Sequence, residues 1–496
     1  MNLKNLFLLL PCVLVITVTA CYQNGPKVIA IPNTAVHKLT VKNMQADMGV
    51  LWAAIKEMHP AYGIYTPPDS LQVAYNQAYS AINRPLSETE FISSVYPFLC
   101  RLKCGHTQLR HSEGYKKTAA DKEPRLPFEV LVRDHRAWIT THQNELLNTG
   151  DEVLSINNIP VTQIINHGAD LYCADGDGQT FKELFLSEYD GFEDACYKYY
   201  RWKGPYHLNI KTQAGVKNLV LDTAGNPSIT PPKPVDNFAG WTEAKNTGNL
   251  PLLFLKNKST AYFKATTFRY GDTTLYQEVF KQIHQQGTKN LVLDLRHNTG
   301  GDIRIAMQLL AYLADGPFHI VKEIKSRIPD PSVNSFEKYF DTTRTASFKS
   351  GFEPGNKAGS WYHIGVKPVF GKLYGALPLA KANHYSGNLL VLIDGATFSS
   401  AALFTAALKS QCKNATFIGR ETAGAEEGCN GGTLQHLTLP NTHIIVEFPW
   451  MRLDAFTKNP VHARGIIPKY TVLYTPLDVV TKNDPDLVKA LSLITN

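Results

Sequence analysis

Residues 388–408 read NLLVLIDGATFSSAALFTAAL. After Asn388, the unbroken apolar run Leu389 to Ile393 predicts a strand buried on both faces. Asp394 to Phe398 is a turn, and Ser399-Ser400-Ala401-Ala402 opens an apolar helix that runs to about Leu408. A serine where a buried strand turns into a helix has two chemical advantages. Its oxygen stands on a corner, and the following N–H groups belong to a helix N-terminus, whose partial positive charge stabilises an oxyanion. The plain alternative is an ordinary N-cap, a position serine often takes.

The same strand–helix alternation extends outward from this corner. Ser259 to Phe268 is a strand candidate, and Leu275 to Gln286 reads as a helix stopped by Gly287. Lys289 to Leu295 is another buried strand, and Gly301 to Leu313 a helix. Thr416 to Gly419 is a strand, and Thr433–Leu439 pairs with His443–Phe448 around Pro440-Asn441. Repeated crossovers of this kind make an α/β core. Upstream, Met44 to Met58 and Ser70 to Ile82 carry apolar residues at three- and four-residue spacing. Ser87-x-x-Glu90 is a capping box that opens a third helix, Phe91 to Leu102, with Pro97 inside it. Residues 126–222 are β-rich instead, with strands at Leu126–Val132 and Ala137–Thr140. The run Asn226 to Pro234 contains four prolines and marks a boundary.

The chain has 496 residues and a formal charge of +7, with lysine and arginine scattered. No basic run is interleaved with aromatics, which argues against nucleic acid as a partner. Lys4, the apolar run Leu6 to Val18, and Val18-Thr19-Ala20-Cys21 match a secretory signal. Small residues before a cysteine resemble a bacterial lipobox, so Cys21 is expected to carry a lipid and tether the mature chain to a membrane; a plain cleaved signal is the alternative. No later segment is apolar enough to span a bilayer. Of eight cysteines, Cys100, Cys104, Cys173, Cys196, Cys412 and Cys429 remain after Cys12 and Cys21. Their spacing offers no zinc ribbon, and no phosphate loop is present, so neither metal nor cofactor is expected. An exported chain permits bridges, with Cys412–Cys429 and Cys173–Cys196 as local pairings. The expected organisation is a signal segment (1–21), a tether (22–40), a helical region (41–115), a β-rich domain (120–223), a linker (224–237) and an α/β core (238–496).

Four motifs carry the functional reading. Thr149-Gly-Asp-Glu-Val-Leu-Ser-Ile-Asn-Asn-Ile-Pro-Val161 resembles the central strand pair of a PDZ domain, which takes an extended peptide onto a sheet edge. Asp294-Leu-Arg-His-Asn-Thr-Gly-Gly301 places two glycines after a buried strand, where the backbone approaches a ligand closely. Gly395 to Ala402 holds the corner serine, and Gly105-His106-Thr107 follows the N-terminal helices. In chain order, with the PDZ-like segment between the histidine and the glycine pair, the motifs resemble the tail-specific (C-terminal-processing) serine peptidase family, in its tricorn-like branch.

That resemblance implies an α/β fold with a crotonase-like (ClpP/crotonase type) catalytic core, an N-terminal helical region and a PDZ-like domain. It implies a serine endopeptidase acting on peptides or unfolded proteins outside the cytoplasm, at the periplasmic or cell surface. Ser399 matches the nucleophile, with Ser400 as the fallback, and His106 matches the general base. The amides of Ser400 and of Gly300 or Gly301 match the oxyanion hole. Two positions depart from the family. No lysine stands in Gly419 to Glu426, so a Ser–Lys pair is not expected. Where the branch places a glutamate, the segment Val461 to Lys469 has His462. The acid that orients the base is therefore open among Glu421, Glu426, Glu427 and Asp454, with Glu421 as the first choice. A catalytically weak relative that only binds peptides is the competing implication.

Overall fold

The computed structural model describes residues 38–117, 125–223, 232–269 and 271–494. The expected signal segment, Cys21, most of the tether and the start of the proline-rich linker lie outside the described residues. The buried run at 389–393 is a central strand, Asn388–Ile393, in a seven-stranded sheet. It pairs in parallel with Asn290–Asp294 on one side and with Ala415–Gly419 on the other. The sheet order is Tyr470–Thr471, Ala415–Gly419, Asn388–Ile393, Asn290–Asp294, Thr260–Lys264, Leu252–Leu255, Thr242–Glu243. Helices Asp272–Gln285, Ile303–Leu310 and Ser400–Gln411 form the crossovers. Leucine, valine and isoleucine fill the middle strands because both faces are covered.

A second sheet of six strands was only partly expected. The final pair is present but longer, Gly428–Thr438 with Ile445–Ala455, and Val321–Ser326, Trp361–Val366 and Phe352–Ala358 extend the sheet. Gln108–Arg110 adds at the other side, with Gln108 opposite Glu447. That short strand begins two residues after His106, so its pairing sets where the histidine stands. The glycines at 428, 431 and 432 hid the early part of the long strand, which carries a register shift between Gly431 and Leu434.

The N-terminal helices are Val41–Met58, Pro68–Ala81 and Glu88–Leu99. The Ser87–Glu90 capping box forms with both of its bonds, and Pro97 lies inside the third helix, which tightens into a 3₁₀ turn at Cys100–Leu102. Met44, Leu51, Ile55 and Phe98 share one continuous apolar cluster with the α/β core. Asp47, fully buried, accepts from Asn441 N, Asn441 Nδ2 and Thr442 N at 3.1, 2.7 and 2.7 Å, pinning the first helix to the hairpin turn at Pro440-Asn441.

The third sheet, of six strands, belongs to residues 128–221 and has its own apolar cluster. Glu152–Ile156 turns back into Ile159–Pro160 through Asn157 and Asn158, both at positive φ (49° and 63°), and the helix Val161–Ala169 follows. Two asparagines suit such a turn because they tolerate the left-handed region. The two expected disulfides are not formed. All six described cysteines are free and buried, and Cys173 lies against Cys100, with Sγ–Sγ 3.7 Å, not against Cys196. Sequence nearness misled here, because the chain between them folds into a helix pair that separates near neighbours and joins distant ones. Among the described residues no helix is long and apolar enough to cross a membrane.

Candidate active site

Ser399 occupies the N-cap position of Ser400–Gln411, yet its side chain makes no capping bond. Its backbone stands at φ 55°, ψ −127°. A serine held there stores roughly 1–3 kcal/mol, which packing elsewhere must offset. The conformation turns the hydroxyl away from the helix and toward His106, whose Nε2 lies 3.0 Å from Ser399 Oγ. The two residues are 293 apart in sequence. Ser400 does something different, since its hydroxyl donates to Gly301 O at 3.0 Å.

The corner is knitted to the glycine loop. Asp394 accepts from Ala396 N at 2.9 Å and from His297 N at 3.1 Å, and its carboxylate pairs with His297 Nδ1 at 2.8 Å. Thr397 Oγ1 donates to Leu295 O at 3.0 Å, and Phe398 N to Asn298 O at 3.1 Å. Asn298, fully buried, donates from Nδ2 to Ala265 O and accepts the Gly300 amide on Oδ1 at 2.9 Å. This bears on the expected oxyanion donors, because the Gly300 N–H is already engaged by Asn298 while the amides of Gly301 and Ser400 are not. Gly300 must be glycine here. Its φ is 99°, and a Cβ would sit 2.9 Å from Ser399 Cβ and from Ser400 N.

His106 is fixed from several sides. Its ring stacks on Phe398 at 4.5 Å between centroids and 28° between planes. Gly105 permits that stack, because a Cβ would meet Phe398 Cζ at 2.7 Å. Thr107 is held by His59, whose Nδ1 accepts from Ala61 N at 3.0 Å. The other nitrogen of His59, Nε2, must therefore carry the proton and donates to Thr107 Oγ1 at 2.7 Å. Burial pushes His106 down to about 4. The imidazole is thus neutral near pH 7, as a proton acceptor must be. Its Nδ1 is buried and has no hydrogen-bond partner.

None of the expected orienting acids reaches that nitrogen. Glu421 is held by a fork from Arg464 at 2.8 and 2.5 Å and by Gly465 N at 2.9 Å. Glu426 binds Lys409 and Thr457, and Asp454 binds Arg452 and Lys325. Glu427 pairs with His462 at 3.2 Å and faces Arg452 at 3.8 Å. Each carboxylate found a cation closer in the fold than the histidine, a competition that residue spacing does not reveal.

Asp294 and Arg296 are structural. Arg296 bonds Asp294, Asp484 and Asp486, and Tyr262 donates to Asp294 at 2.5 Å. The guanidinium holds the Asp294 carboxyl well below its usual range against its burial. This network ties the strand end to the C-terminal helix Pro485–Ser492. His297, between Asp394 and Glu188, is pushed up to about 10, first by the Asp394 charge. It is an imidazolium at neutral pH that bridges the glycine loop to the β-rich unit, a role its place between two charged turns did not disclose.

Residues 259–472 match the profile of peptidase family S41. The match includes Ser399 and the glycine pair, while His106 lies outside it. Among solved structures, mature CPAF complexed with lactacystin has a TM-score of 0.59 and 16% identity, covering 92% of this chain and 97% of that one. Mature CPAF alone has the same TM-score and identity, over 91% of this chain and 96% of that one. At such identity the likeness speaks for the fold. A search among curated proteins found no match. Residues 259–472 are thus a domain of peptidase family S41, the tail-specific peptidases, which places this chain among the serine peptidases.

Proposed function

We propose that this chain is an exported, lipid-anchored endopeptidase that cleaves peptides or unfolded proteins through an acyl-enzyme on Ser399. The observation that carries the reading is the 3.0 Å contact between Ser399 Oγ and His106 Nε2, made by a serine whose strained backbone frees its hydroxyl from capping. His106 Nε2 takes the hydroxyl proton as Oγ attacks the substrate carbonyl carbon. The developing oxyanion lies between the amides of Ser400 and Gly301, each such donor being worth about 3 kcal/mol of barrier. His106 returns the proton to the leaving amine. Water, activated by the same nitrogen, then hydrolyses the acyl ester and regenerates Ser399. The nucleophile domain is read as crotonase-like and the 128–221 unit as PDZ-like, presenting an extended chain end. Cys21 would hold the protein at a membrane facing the periplasm or the cell exterior.

The test is labelling by a fluorophosphonate together with cleavage of an unfolded protein such as casein. Wild type should do both, and Ser399→Ala and His106→Ala neither. Cleavage by Ser399→Ala at the wild-type rate would refute the assignment. The second reading, a peptide-binding protein with little catalysis, is favoured by one observation, the partnerless Nδ1 of His106. It predicts no labelling, alongside micromolar binding of peptides with a free C-terminus.

A further inference from the structure

His106 must become an imidazolium each time Ser399 is deprotonated, and its buried setting opposes that charge. With the four expected carboxylates bound elsewhere, another acid has to serve or none does. Asp175 is buried, with 3% of its surface exposed, and lies in the loop after Cys173. Its Oδ1 accepts the amide of Gly105, the residue before His106, at 2.7 Å. Its Oδ2 is buried without a hydrogen-bond partner. His106 Nδ1 is in the same condition.

These groups converge on one small volume. The Cys104 thiol is bonded by His106 N and by Asn430, and its pKa is raised by burial and then by the Asp175 charge. Burial and the same charge raise Cys429. A Cβ on Gly431, next to Asn430, would lie 3.6 Å from both Cε1 and Nε2 of His106. The Asp175 loop also abuts the segment where the family places its glutamate. Asp177 N donates to Ala463 O at 2.6 Å, and Gly176 N to Lys103 O at 3.2 Å. The loop therefore lies between the His106 turn and the segment that bears His462.

We infer that Asp175 is the positioning residue for His106, holding its turn through Gly105 N and supplying, through its second oxygen, the negative charge that the imidazolium needs. This rests on the peptidase reading above. Burial pushes Asp175 up to about 7, opposed by the Gly105 amide and Arg452. The other groups around it are Tyr65, Cys104 and Cys429, with Glu427 beyond Arg452. Asp175 therefore loses its charge as pH falls through about 7, while His106 itself stays neutral until about pH 4. Below about pH 7 the imidazolium formed during the reaction has no anion beside it, so the rate falls although the base itself is still unprotonated.

The test is Asp175→Asn, whose amide oxygen still accepts the Gly105 N–H. It should lower kcat by on the order of 100-fold or more with KM little changed, and abolish the acid limb of kcat/KM near pH 7. Asp175→Glu should restore that limb in part, and Asn430→Ala should leave it in place. A limb that survives in Asp175→Asn with kcat within a few-fold of wild type overturns the inference, as does a limb that follows Asn430. A histidine NMR titration decides the matter without turnover. In wild type the His106 ring should report the proton uptake near pH 7, and in Asp175→Asn it should stay silent until about pH 4. No response in wild type above about pH 5 would overturn the inference even if the asparagine variant failed to fold. If wild type neither cleaves nor labels while the titration behaves as expected, the peptidase reading fails and the pairing stands.

Discussion

Replacing Gly300 by alanine puts the closest approach in the site under direct test. A Cβ there would lie 2.9 Å from Ser399 Cβ, 2.9 Å from Ser400 N and 3.0 Å from Phe398 O. Ordinary contact needs at least about 3.4 Å, so the nucleophile turn must retreat by roughly half an ångström, and the backbone at φ 99° adds strain of about 1–3 kcal/mol. The atoms that move belong to the proposed nucleophile and a proposed oxyanion donor. Loss of one such donor costs on the order of 10²–10³ in kcat, and a misplacement of about 1 Å can cost as much again as 10²-fold. Gly300→Ala should therefore lower kcat by about 10²–10³ with little change in KM, while the melting temperature falls by only a few degrees. Steady-state cleavage of a fluorogenic peptide, with circular dichroism of the same sample, measures both. A variant that melts early but keeps kcat within threefold of wild type would refute the reasoning, because it would show that the glycine loop does not bear on the nucleophile.

Three further outcomes follow from the same contacts. Asp47→Ala leaves three N–H donors of the 441–442 turn without their acceptor and should destabilise the fold by about 3 kcal/mol or more in urea unfolding; a loss under about 1 kcal/mol would deny the pin its role. His297, ordinarily at 6.5, is raised to about 10, so the stability it adds is full below 6.5 and lost as pH rises toward 10; wild type should lose more stability over that range than His297→Gln, and parallel curves would contradict the bridge. Oxidised glutathione, accepting two electrons and two protons, should join Cys100 to Cys173, closing a 73-residue separation that is worth up to about 4 kcal/mol; peptide mapping that finds Cys173 bonded to Cys196 would refute this.

What the sequence disclosed was local. The strand 388–393 and its serine corner were legible because a buried parallel strand and an apolar helix each carry their pattern in a few adjacent residues. Gly105-His106-Thr107 was legible as a motif beside the other two. The second sheet was legible only in its final pair, because several of its other strands lack a buried face or carry glycines. Phe352–Ala358 is exposed at every residue after Phe352, and the glycines of Gly428–Thr438 read as loop. The acids were misjudged for a related reason. Glu421 stands in the segment after the serine, but Arg464 binds it from 43 residues further on. Asp175 sits among Ala174, Gly176, Asp177 and Gly178, a stretch whose composition speaks only of a turn. Long-range pairings decide which carboxylate is occupied, and no window of sequence contains them.

The two halves of the site are fixed by different means. Ser399 is set by its own domain, through the strand, the helix and the glycine loop that forbids any side chain at position 300. His106 stands outside that domain and depends on contacts made across the molecule: the pairing of Gln108–Arg110 with Ile445–Ala455, the His59–Thr107 bond, and the Gly105–Asp175 bond. The 3.0 Å contact between them therefore depends on the packing of the helical region, whose Met44, Leu51 and Phe98 share one apolar cluster with the α/β core. Substitutions that loosen the first helices should therefore act on catalysis through the position of His106.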